Sequence, residues 1–475
     1  WTPESPHLYH AVFTLLDKNG RVIHQTDKRI GFRTVEVRES DGIYVNSVRV
    51  KMKGVCRHTF RPRYGRTSCK TFSIEDVNLM KDMNINAVRM SHYPPEEHFL
   101  DVCDSLGLFV IDEFTAWQER APGSDLALVL LEDMIARDVN HPSVILWDNG
   151  NEGGENRNLD KRFAEMDIQR RKVLHPWQDY DLFNTLHYPD YNYLALDGFS
   201  RRKIFMPTEF LHGLHDGGLG AGLDDFWEKM WNEPLCAGGL LWVFADESLE
   251  RTDRNRELDM KGNWAPDGIL GPYHEKEGSF YTIREIWSPV HFEKRYVTAG
   301  FDGSFRIENR YFYTNLSQCS LKAEWVRFTG PEEIPAEIIT DTENLKVILA
   351  PGEKGILKVK LPSGWENRDV LRIRLTDHYG RFLNSWTWPL KDPENKTGEL
   401  VTDISSEKPK VRETDDFLTI SAGDLVFTFD KRDGTLSQVI KGEQRIPLTQ
   451  GPRFVSGIRK VKQVTHRPEE NSLLL

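Results

Sequence analysis

The chain has 475 residues, of which 39% are hydrophobic and 28% are charged, a balance typical of folded globular proteins and not of disordered ones. Its formal net charge is −11 and no cluster of basic residues is present, which argues against nucleic acid or an anionic membrane as a partner. A chain of this length is too long for one hydrophobic core, so about three domains are expected.

The cysteines and the chain ends narrow the class of protein further. The five cysteines are odd in number, far apart and without a C-x-x-C pair, so neither a disulfide framework nor a zinc site is expected. No apolar run reaches the length of a membrane-spanning helix, about 20 residues, and no signal peptide is recognisable. The stretch from Trp1 to Tyr9 resembles the middle of a domain, and the last residues resemble an unfinished strand region. We therefore expect a fragment of a longer protein. The compartment stays open, with the bacterial periplasm or cytoplasm as the favoured alternatives.

The first segment, residues 1–40, is predicted to be the end of a small β-sandwich. Hydrophobic residues alternate with polar ones from residue 8 to residue 37, with a turn at Asp17-Lys18-Asn19-Gly20. Alternation with period two around such a turn is typical of antiparallel strands.

Residues 41–295 alternate between strand-like and helix-like stretches, which is the pattern of βα units. Helices are predicted from Ser73, from Pro95 to Gly107, over 126–139, over 158–174 and over 280–287. Eight strand candidates are 48–55, 86–90, 108–111, 144–147, two short strands within 177–193, 204–206 and 238–243. Eight strands in about 250 residues predict a (β/α)8 TIM barrel.

The remaining residues return to alternation. Residues 296–400 predict a second β-sandwich of immunoglobulin size, and residues 401–475 are predicted to hold a linker and the start of a large, incomplete β-sandwich. The linker itself is predicted over residues 391–415, which are polar and charged. The fold class is therefore a central barrel flanked by immunoglobulin-like domains.

Two carboxylates follow predicted barrel strands. Glu152 ends the stretch that begins at Val144, and Glu209 follows the strand 204–206. One such acid alone is more typical of a polar loop after a core strand. Two acids at the carboxyl ends of two barrel strands, however, are what a glycoside hydrolase requires, because such barrels hold their chemistry at that end.

Several short stretches together resemble glycoside hydrolase family two, the family of β-galactosidases, β-glucuronidases and β-mannosidases. They occur in the order and spacing of that family and comprise Gly31 to Val35, Lys53 to His58, Asn86 to Pro94, His141 to Trp147 with Asn151-Glu152, Thr208-Glu209-Phe210 with His212, and Gly238 to Trp242. The resemblance implies the barrel with flanking β-sandwich domains, and an amino-terminal sugar-binding-like domain that this chain lacks.

The resemblance also implies the two catalytic roles. Glu209 would be the nucleophile of a retaining mechanism and Glu152 the acid/base, with a pKa raised above that of Glu209. Arg89 would be the cation that keeps Glu209 ionised, although arginines in general are often surface ion-pair partners. Tyr188 would donate its phenol to Glu209, with Tyr191 as the alternative and an ordinary half-buried aromatic as the competing interpretation for either.

The remaining site residues are implied to bind the sugar. Asn151 would bind the 2-hydroxyl, Trp242 would form a floor under the ring, and a loop holding Asp267 would close over it. Glu113, also at a strand end, would either support the site from behind or contact substrate. A single histidine of this kind is more often structural, but three of them at predicted strand ends favour binding to sugar hydroxyls: His58, His92 and His212.

The resemblance leaves the substrate and cofactors partly open. Magnesium-binding β-galactosidases of the family place a glutamate where this chain has Trp117, so a required metal is not expected, although magnesium or sodium stays open. A counterpart of the β-glucuronidase Asn and Lys pair is not evident near Lys261 and Asn263. The sequence therefore predicts an exo-acting β-galactosidase acting on oligosaccharides, with homo-oligomerisation open. The alternatives are a β-glucuronidase, a glycosidase for a modified galactose of plant or algal polysaccharide, and a non-catalytic glycan-binding barrel.

Overall fold

The computed structural model describes residues 1–118, 121–196, 202–214, 220, 222–329, 334–391, 408–446, 448, 460–468 and 473–474. The chain forms two compact units, residues 1–390 and residues 391–475. Across these described ranges, no helix combines the length and apolarity needed to cross a bilayer.

The centre of the first unit is a parallel sheet. Six strands hydrogen-bond in the spatial order Val173–Leu174, Val144–Asn151, Phe109–Trp117, Ala87–Met90, Met52–Arg57 and Gly238–Leu241. Two more parallel strands, Phe183–Asn184 and Ile204–Phe205, continue beyond Gly238–Leu241 through the bridges Phe205–Cys236 and Phe210–Leu241. The eight parallel strands are the number that the sequence predicts, and we call them the first to eighth barrel strands in chain order.

Helices alternate with these strands along the chain. Their bounds are Lys70–Asp82, Glu97–Leu106, Ser124–Asp138, Asp160–Met166, Tyr191–Leu196, Leu223–Asn232 and Gly278–Ile286. Apolar helix residues such as Val77, Leu131 and Trp227 pack with strand residues such as Val88 and Val110 in one buried cluster. A second cluster contains strand residues such as Ile111, Leu146 and Leu240. Alternating strand residues thus serve two cores, as in a TIM barrel.

Two predicted elements differ from the structure. The helix predicted over 158–174 spans only Asp160–Met166, because the carboxylate of Asp167 accepts from the Trp147 indole at 2.9 Å and from Arg171 Nε at 2.7 Å. These bonds turn the chain back into the sheet, and Val173–Leu174 becomes the fifth barrel strand, upstream of the predicted 177–193 region.

The strand predicted over 48–55 is two strands in two different sheets. Val48–Val50 belongs to a three-stranded antiparallel sheet with Val35–Arg38 and Gly42–Val45, whereas Met52–Arg57 is the first barrel strand. The change occurs at Lys51, whose ammonium donates to the carbonyls of Met230, Glu233 and Cys236 at 2.6–2.8 Å.

The other strands of the first unit are antiparallel. Tyr9–Leu16 pairs with Val22–Ile30, as the alternation predicts. After the barrel, two sheets enclose a core that includes Trp325 and Trp388; their strands, in spatial order, are Val290–Phe292, Ser304–Asn309 and Lys354–Lys358 in one, and Glu337–Leu345, Ser320–Phe328, Val370–Thr376 and Phe382–Pro389 in the other. This sheet pair begins before residue 296, and its immunoglobulin-like character stays a prediction, as does that of residues 1–40.

The second unit holds a five-stranded antiparallel sheet, in which the strands lie side by side in the order in which they follow along the chain. Its strands are Lys410–Glu413, Phe417–Ala422, Leu425–Asp430, Thr435–Lys441 and Gln444–Ile446. Most of the predicted linker, residues 392–407, lies outside the described residues.

Candidate active site

Glu152 and Glu209 meet at the carboxyl end of the barrel. Glu152 directly follows the fourth barrel strand and Glu209 follows the seventh. One carboxylate oxygen of each lies within 4.8 Å of the other and of a ring nitrogen of His187. Retaining glycosidases hold their two carboxyls about 5 Å apart, whereas inverting enzymes need at least about 6.5 Å to admit a water. The arrangement therefore has the geometry of a retaining pair.

A tight turn delivers Glu152 to this position. Gly150 has φ +79°, and a Cβ there would lie 2.8 Å from the Cβ of Ala116 on the neighbouring strand. Only glycine fits such a backbone at so close an approach. Glu152 itself has φ +48°, in the left-handed region that few non-glycine residues occupy.

Glu209 is held by one charged and one neutral donor. Arg89 Nη1 donates to Oε1 at 2.8 Å, and the Tyr188 hydroxyl donates to Oε2. The backbone N–H of Tyr188 also donates to the Glu209 carbonyl at 2.9 Å, which fixes the end of the sixth strand against the end of the seventh. Only 2% of the surface of Glu209 is exposed, so these donors take the place of water around its carboxyl group.

Arg89 is shared by three buried carboxylates. Its guanidinium also contacts Glu113 and Asp148, each at 2.7 Å, and donates to Asn151 Oδ1 at 2.9 Å. Burial raises the pKa of Glu113 to about 8, against the attraction of Arg89, and burial likewise raises the pKa of Asp148 well above its ordinary value. Part of this acid cluster is therefore protonated at neutral pH, and Glu113 supports the site from behind Arg89.

Glu152 is held by three N–H groups. His187 Nδ1 lies 3.2 Å from Oε1, and Trp117 Nε1 and Gln118 Nε2 each donate to Oε2 at 3.2 Å. The hydrogen bond with His187, followed by those from Trp117 and Gln118, lowers the pKa of Glu152 to about 2 and outweighs the opposing effect of burial. The expectation of a raised pKa is therefore wrong for the protein without substrate.

His187 is a site residue that sequence reasoning missed. Its Nδ1 lies 3.6 Å from Glu209 Oε2 as well, its Nε2 lies 2.9 Å from Thr208 Oγ1, and its ring stacks on Trp177 at an interplanar angle of 3°. It follows a barrel strand of only two residues, too short for a recognisable period. Its one sequence signal is that it directly precedes Tyr188.

Three of the predicted sugar-binding residues form one aromatic group. His92 stacks on Trp242 at 5.3 Å and 8°, and the His58 ring meets both edge-on. Burial lowers the pKa of His92 to about 3 and holds that of His58 well below its ordinary value, so both are neutral. Because His92 covers one face of Trp242, the predicted floor can use only the other face or the edge of the indole.

His212 and Asp267 both lie beside Trp242. The indole N–H of Trp242 donates to Asp267 Oδ2 at 3.0 Å, and His212 Nε2 lies 3.7 Å from the same oxygen. Glu247, which the sequence did not single out, lies 3.4 Å from His58. Burial raises the pKa of Asp267 to about 7 and that of Glu247 to about 8. All ten predicted site residues are thus brought to the same end of the barrel.

The residues around Glu152 do not suit magnesium, which prefers oxygen ligands in an octahedron. Trp117 and Gln118 present N–H donors to Glu152 where the ion would need oxygens. Away from the site, Asp101, Asp104 and His141 also lie within 4.8 Å of one another, but His141 already contacts Asp104 at 2.6 Å.

Comparison with known proteins agrees with this geometry. The model of the TIM barrel domain of glycosyl hydrolases family 2 matches residues 35–265, and a second model, glycosyl hydrolases family 2, matches residues 1–33. The chain is 26% identical to a β-galactosidase of Priestia megaterium (strain DSM 319 / IMG 1521), covering 91% of this chain and 45% of that protein. It is also 26% identical to a β-galactosidase of Pseudoalteromonas haloplanktis, covering 94% and 47%.

A solved β-glycosidase from Bacteroides vulgatus has a similar fold, with a TM-score of 0.53 at 18% identity, over 92% of this chain and 60% of that one. The chain spans about half the length of the curated relatives it matches. The two family models follow one another along the chain and together match most of its first 265 residues. The chain belongs to glycoside hydrolase family 2.

Proposed function

We propose that this chain carries the active site of a retaining exo-β-glycosidase that releases terminal β-galactose from oligosaccharides. The observation that carries the proposal is the pair Glu152 and Glu209, whose carboxylate oxygens lie within 4.8 Å at the ends of the fourth and seventh barrel strands. That separation suits a double displacement, in which one carboxylate bonds to the sugar and the other transfers protons.

In the first step Glu209 attacks the anomeric carbon while Glu152 gives its proton to the leaving oxygen. Arg89 and Tyr188 each hold one oxygen of Glu209, so the nucleophile is oriented before the sugar arrives. The three N–H groups around Glu152 favour its ionised form. Glu152 must therefore take up a proton before this step.

In the second step Glu152 acts as the base, and the same three N–H groups now favour the form that is needed. It removes a proton from water, the water oxygen attacks the anomeric carbon, and Glu209 leaves as a carboxylate. The Tyr188 phenol and the Arg89 guanidinium stabilise that departing charge.

The charges around Trp242 support a neutral sugar over a uronic acid. Asp267 and Glu247 bring two carboxyl groups to this side of the site, and both titrate near neutral pH. His58 and His92 are neutral, so neither imidazole balances the negative charge that the carboxylate of a uronic acid would bring. A uronate would meet acids here, whereas the hydroxyls of a galactose can bond to acids and imidazoles alike. The β-galactosidases to which the chain is similar support the same choice.

No divalent cation is part of the proposal. The side chains of Trp117 and Gln118 already satisfy one oxygen of Glu152. The proposed ligand is a carbohydrate.

Initial rates on a panel of nitrophenyl β-glycosides test the substrate. The galactoside should be the best substrate, and a clear preference for the glucuronide would overturn the galactose assignment. A 2-fluoro-galactoside should release a burst of phenol and label the peptide containing Glu209, and Glu209→Gln should lower turnover by orders of magnitude. Saturable glycan binding without turnover or label would instead indicate a non-catalytic barrel.

A further inference from the structure

A cavity lies near the amino ends of the barrel strands. Its volume is about 500 Å³, within the usual range of sites that bind small molecules. Lys53 near the start of the first barrel strand and Asn86 just before the second line it, together with Pro3 and residues of the sheets that follow the barrel. Glu152 and Glu209 follow the opposite ends of their strands, so the cavity is separate from the candidate active site.

Two lysines line the cavity, and neither contacts a carboxylate within the described residues. Lys53 is 4% exposed, and its ammonium donates to the Trp287 carbonyl at 2.9 Å. The Lys81 ammonium donates to the carbonyls of Pro3 and Gly107, each at 3.0 Å. An ammonium has three N–H groups, so these bonds leave two on Lys53 and one on Lys81 for other acceptors.

Both lysines lose hydration in this position. Burial, followed by repulsion from Arg310, lowers the pKa of Lys53 to about 7. Burial, followed by repulsion from Arg381, lowers the pKa of Lys81 to about 8. A buried ammonium without a counter-ion is unfavourable, so an anion in the cavity would stabilise the charged form of both.

The acidic residues of the wall are bonded to other groups. Glu4 attracts both lysines, but its carboxylate accepts from the backbone N–H groups of residues 312–314 at 2.8–2.9 Å. Asp377 accepts from the backbone N–H groups of Tyr379 and Arg381 at 2.9 and 2.8 Å. Neither carboxylate forms an ion pair with a lysine of the cavity.

The arginines of the wall have carboxylate partners of their own. Arg310 contacts Glu228 at 2.6 Å and Glu308 at 3.0 Å, and Arg381 contacts Asp82 at 2.6 Å. The other titratable side chains that line the cavity are His7, Tyr311, His378 and Tyr379. The two lysines therefore carry the positive charge that lacks a carboxylate partner in the described wall.

A tryptophan adds a further donor and a hydrophobic surface. Trp287 lines the cavity and is fully buried, and its indole N–H has no acceptor among the described residues. Native proteins rarely leave a buried donor unpaired. The hydrophobic part of the wall continues through Ile85, Leu106, Phe312 and Leu383.

We propose that this cavity binds a small organic anion, with its carboxylate or phosphate group at Lys53 and Lys81 and its apolar body against the hydrophobic wall. Hydrogen bonds between an ammonium and such a group are about twice as strong as those between neutral groups. The inference does not rest on the proposed function, because binding is measured without turnover.

Calorimetric titration of the whole chain at about pH 6.5 tests the choice of ligand. Benzoate or phenyl phosphate should bind saturably and at least tenfold more tightly than neutral benzyl alcohol, and the tighter of the two identifies the charged group. Phenyl phosphate should also bind more tightly than inorganic phosphate, because only the former has an apolar body. Absence of saturable binding by both aromatic anions, or equal binding of benzyl alcohol, would overturn the site.

The variants Lys53→Met and Lys81→Met test its location. Methionine keeps an unbranched chain without the charge, so each variant should weaken binding of the preferred anion at least tenfold and leave binding of benzyl alcohol unchanged. Lys161→Met, which changes an 87% exposed lysine outside the cavity, is the matched control. If one of the two variants does not fold, the other decides. Wild-type affinity for the anion in the folded variants would overturn the assignment.

Proton uptake gives a readout that a loss of packing would not change. Benzoate does not titrate near neutral pH, and its binding should raise the pKa of both lysines. The complex should therefore take up protons between pH 7 and pH 9, measured as a difference in binding heat between buffers of different ionisation enthalpy, and affinity should fall as pH rises through this range. Binding of benzoate without proton uptake, or with uptake that is undiminished in Lys53→Met and Lys81→Met, would contradict a site built on these two ammonium groups.

Discussion

His187 Nδ1 lies 3.2 Å from Glu152 Oε1, and this contact is the largest influence on the charge of the acid/base. An N–H group directed at a carboxylate favours its ionised form, so the same contact helps the base step and opposes the acid step. The imidazole also lies 3.6 Å from Glu209, so it borders both reacting groups.

Replacement of His187 by Phe should therefore move the pH profile. Phe keeps a ring to stack on Trp177 but removes the N–H, so the pKa of Glu152 rises. The alkaline limb of kcat/KM reports loss of the acid proton, and it should shift upward by about one pH unit, the equivalent of one hydrogen bond. Rates on nitrophenyl galactoside across the pH range measure the shift.

A Thr208→Val variant is the control for this prediction. It removes the Thr208 hydroxyl, 2.9 Å from the other ring nitrogen, without touching Glu152. It should perturb the packing of His187, but it should shift the alkaline limb of kcat/KM less than His187→Phe does. If the alkaline limb of His187→Phe stays at the same pH or moves to lower pH, His187 does not hold down the pKa of Glu152.

Arg89 should be necessary for both activity and stability. Arg89→Gln leaves Glu113, Asp148 and Glu209 without their shared cation in a site with at most 2% exposure. Removal of one partner from a buried ion pair costs about 3–5 kcal/mol, so the free energy of unfolding should fall by about that amount. Turnover should fall at least 100-fold because Glu209 loses its orientation. Urea unfolding and kcat check the two effects.

The chain offers a matched surface arginine. Arg251 contacts Asp253 at 2.7 Å and Asp259 at 3.0 Å with a side chain that is 34% exposed. Exposed pairs contribute less than about 1 kcal/mol, so Arg251→Gln should leave both measurements nearly unchanged. Equal destabilisation by the two variants would show that burial of Arg89 has no energetic consequence.

The sequence predicted those parts of the site in which a hydrophobic run ends in a polar side chain. The hydrophobic run before Asp148 and Glu152 and the run before Arg89 have clear ends, and parallel strands bring those ends to one edge. These runs placed both carboxylates at strand ends without knowledge of the loops, whereas the role of Arg89 was implied by the family resemblance.

The parts that the sequence did not predict depend on contacts between distant residues. The fifth strand has two residues and forms because Asp167 ends the preceding helix through Arg171 and Trp147. The low pKa of Glu152 depends on three donors from two separate strand ends, and spacing along the chain does not reveal their convergence. The same holds for Glu247, whose proximity to His58 is set by a loop.

Tyr188 and Tyr191 were alternative partners for Glu209, and the structure separates them. The Tyr188 hydroxyl donates to Glu209, whereas Tyr191 is 45% exposed and packs on Phe226. Tyr188→Phe should lower kcat about 100-fold, the usual effect of losing one preorganised donor to a reacting oxygen, with little change in stability. Tyr191→Phe is the matched control. Comparable losses in both variants would argue against a specific role of the Tyr188 phenol.

The raised pKa of Glu113 predicts a pH-dependent stability. Burial moves this pKa from 4.5 to about 8. Between those values the folded protein keeps a proton that the unfolded chain has released, so Glu113 makes the free energy of unfolding fall as pH rises, by at most about 1.4 kcal/mol per pH unit. Glu113→Gln cannot titrate. Its free energy of unfolding, relative to that of the wild type, should therefore rise steadily from pH 5 to pH 8 in urea titrations, while exposed Glu257→Gln serves as the reference. A constant difference would mean that Glu113 is already ionised at pH 5 in the folded protein, and the single guanidinium of Arg89 would then have to balance three buried negative charges.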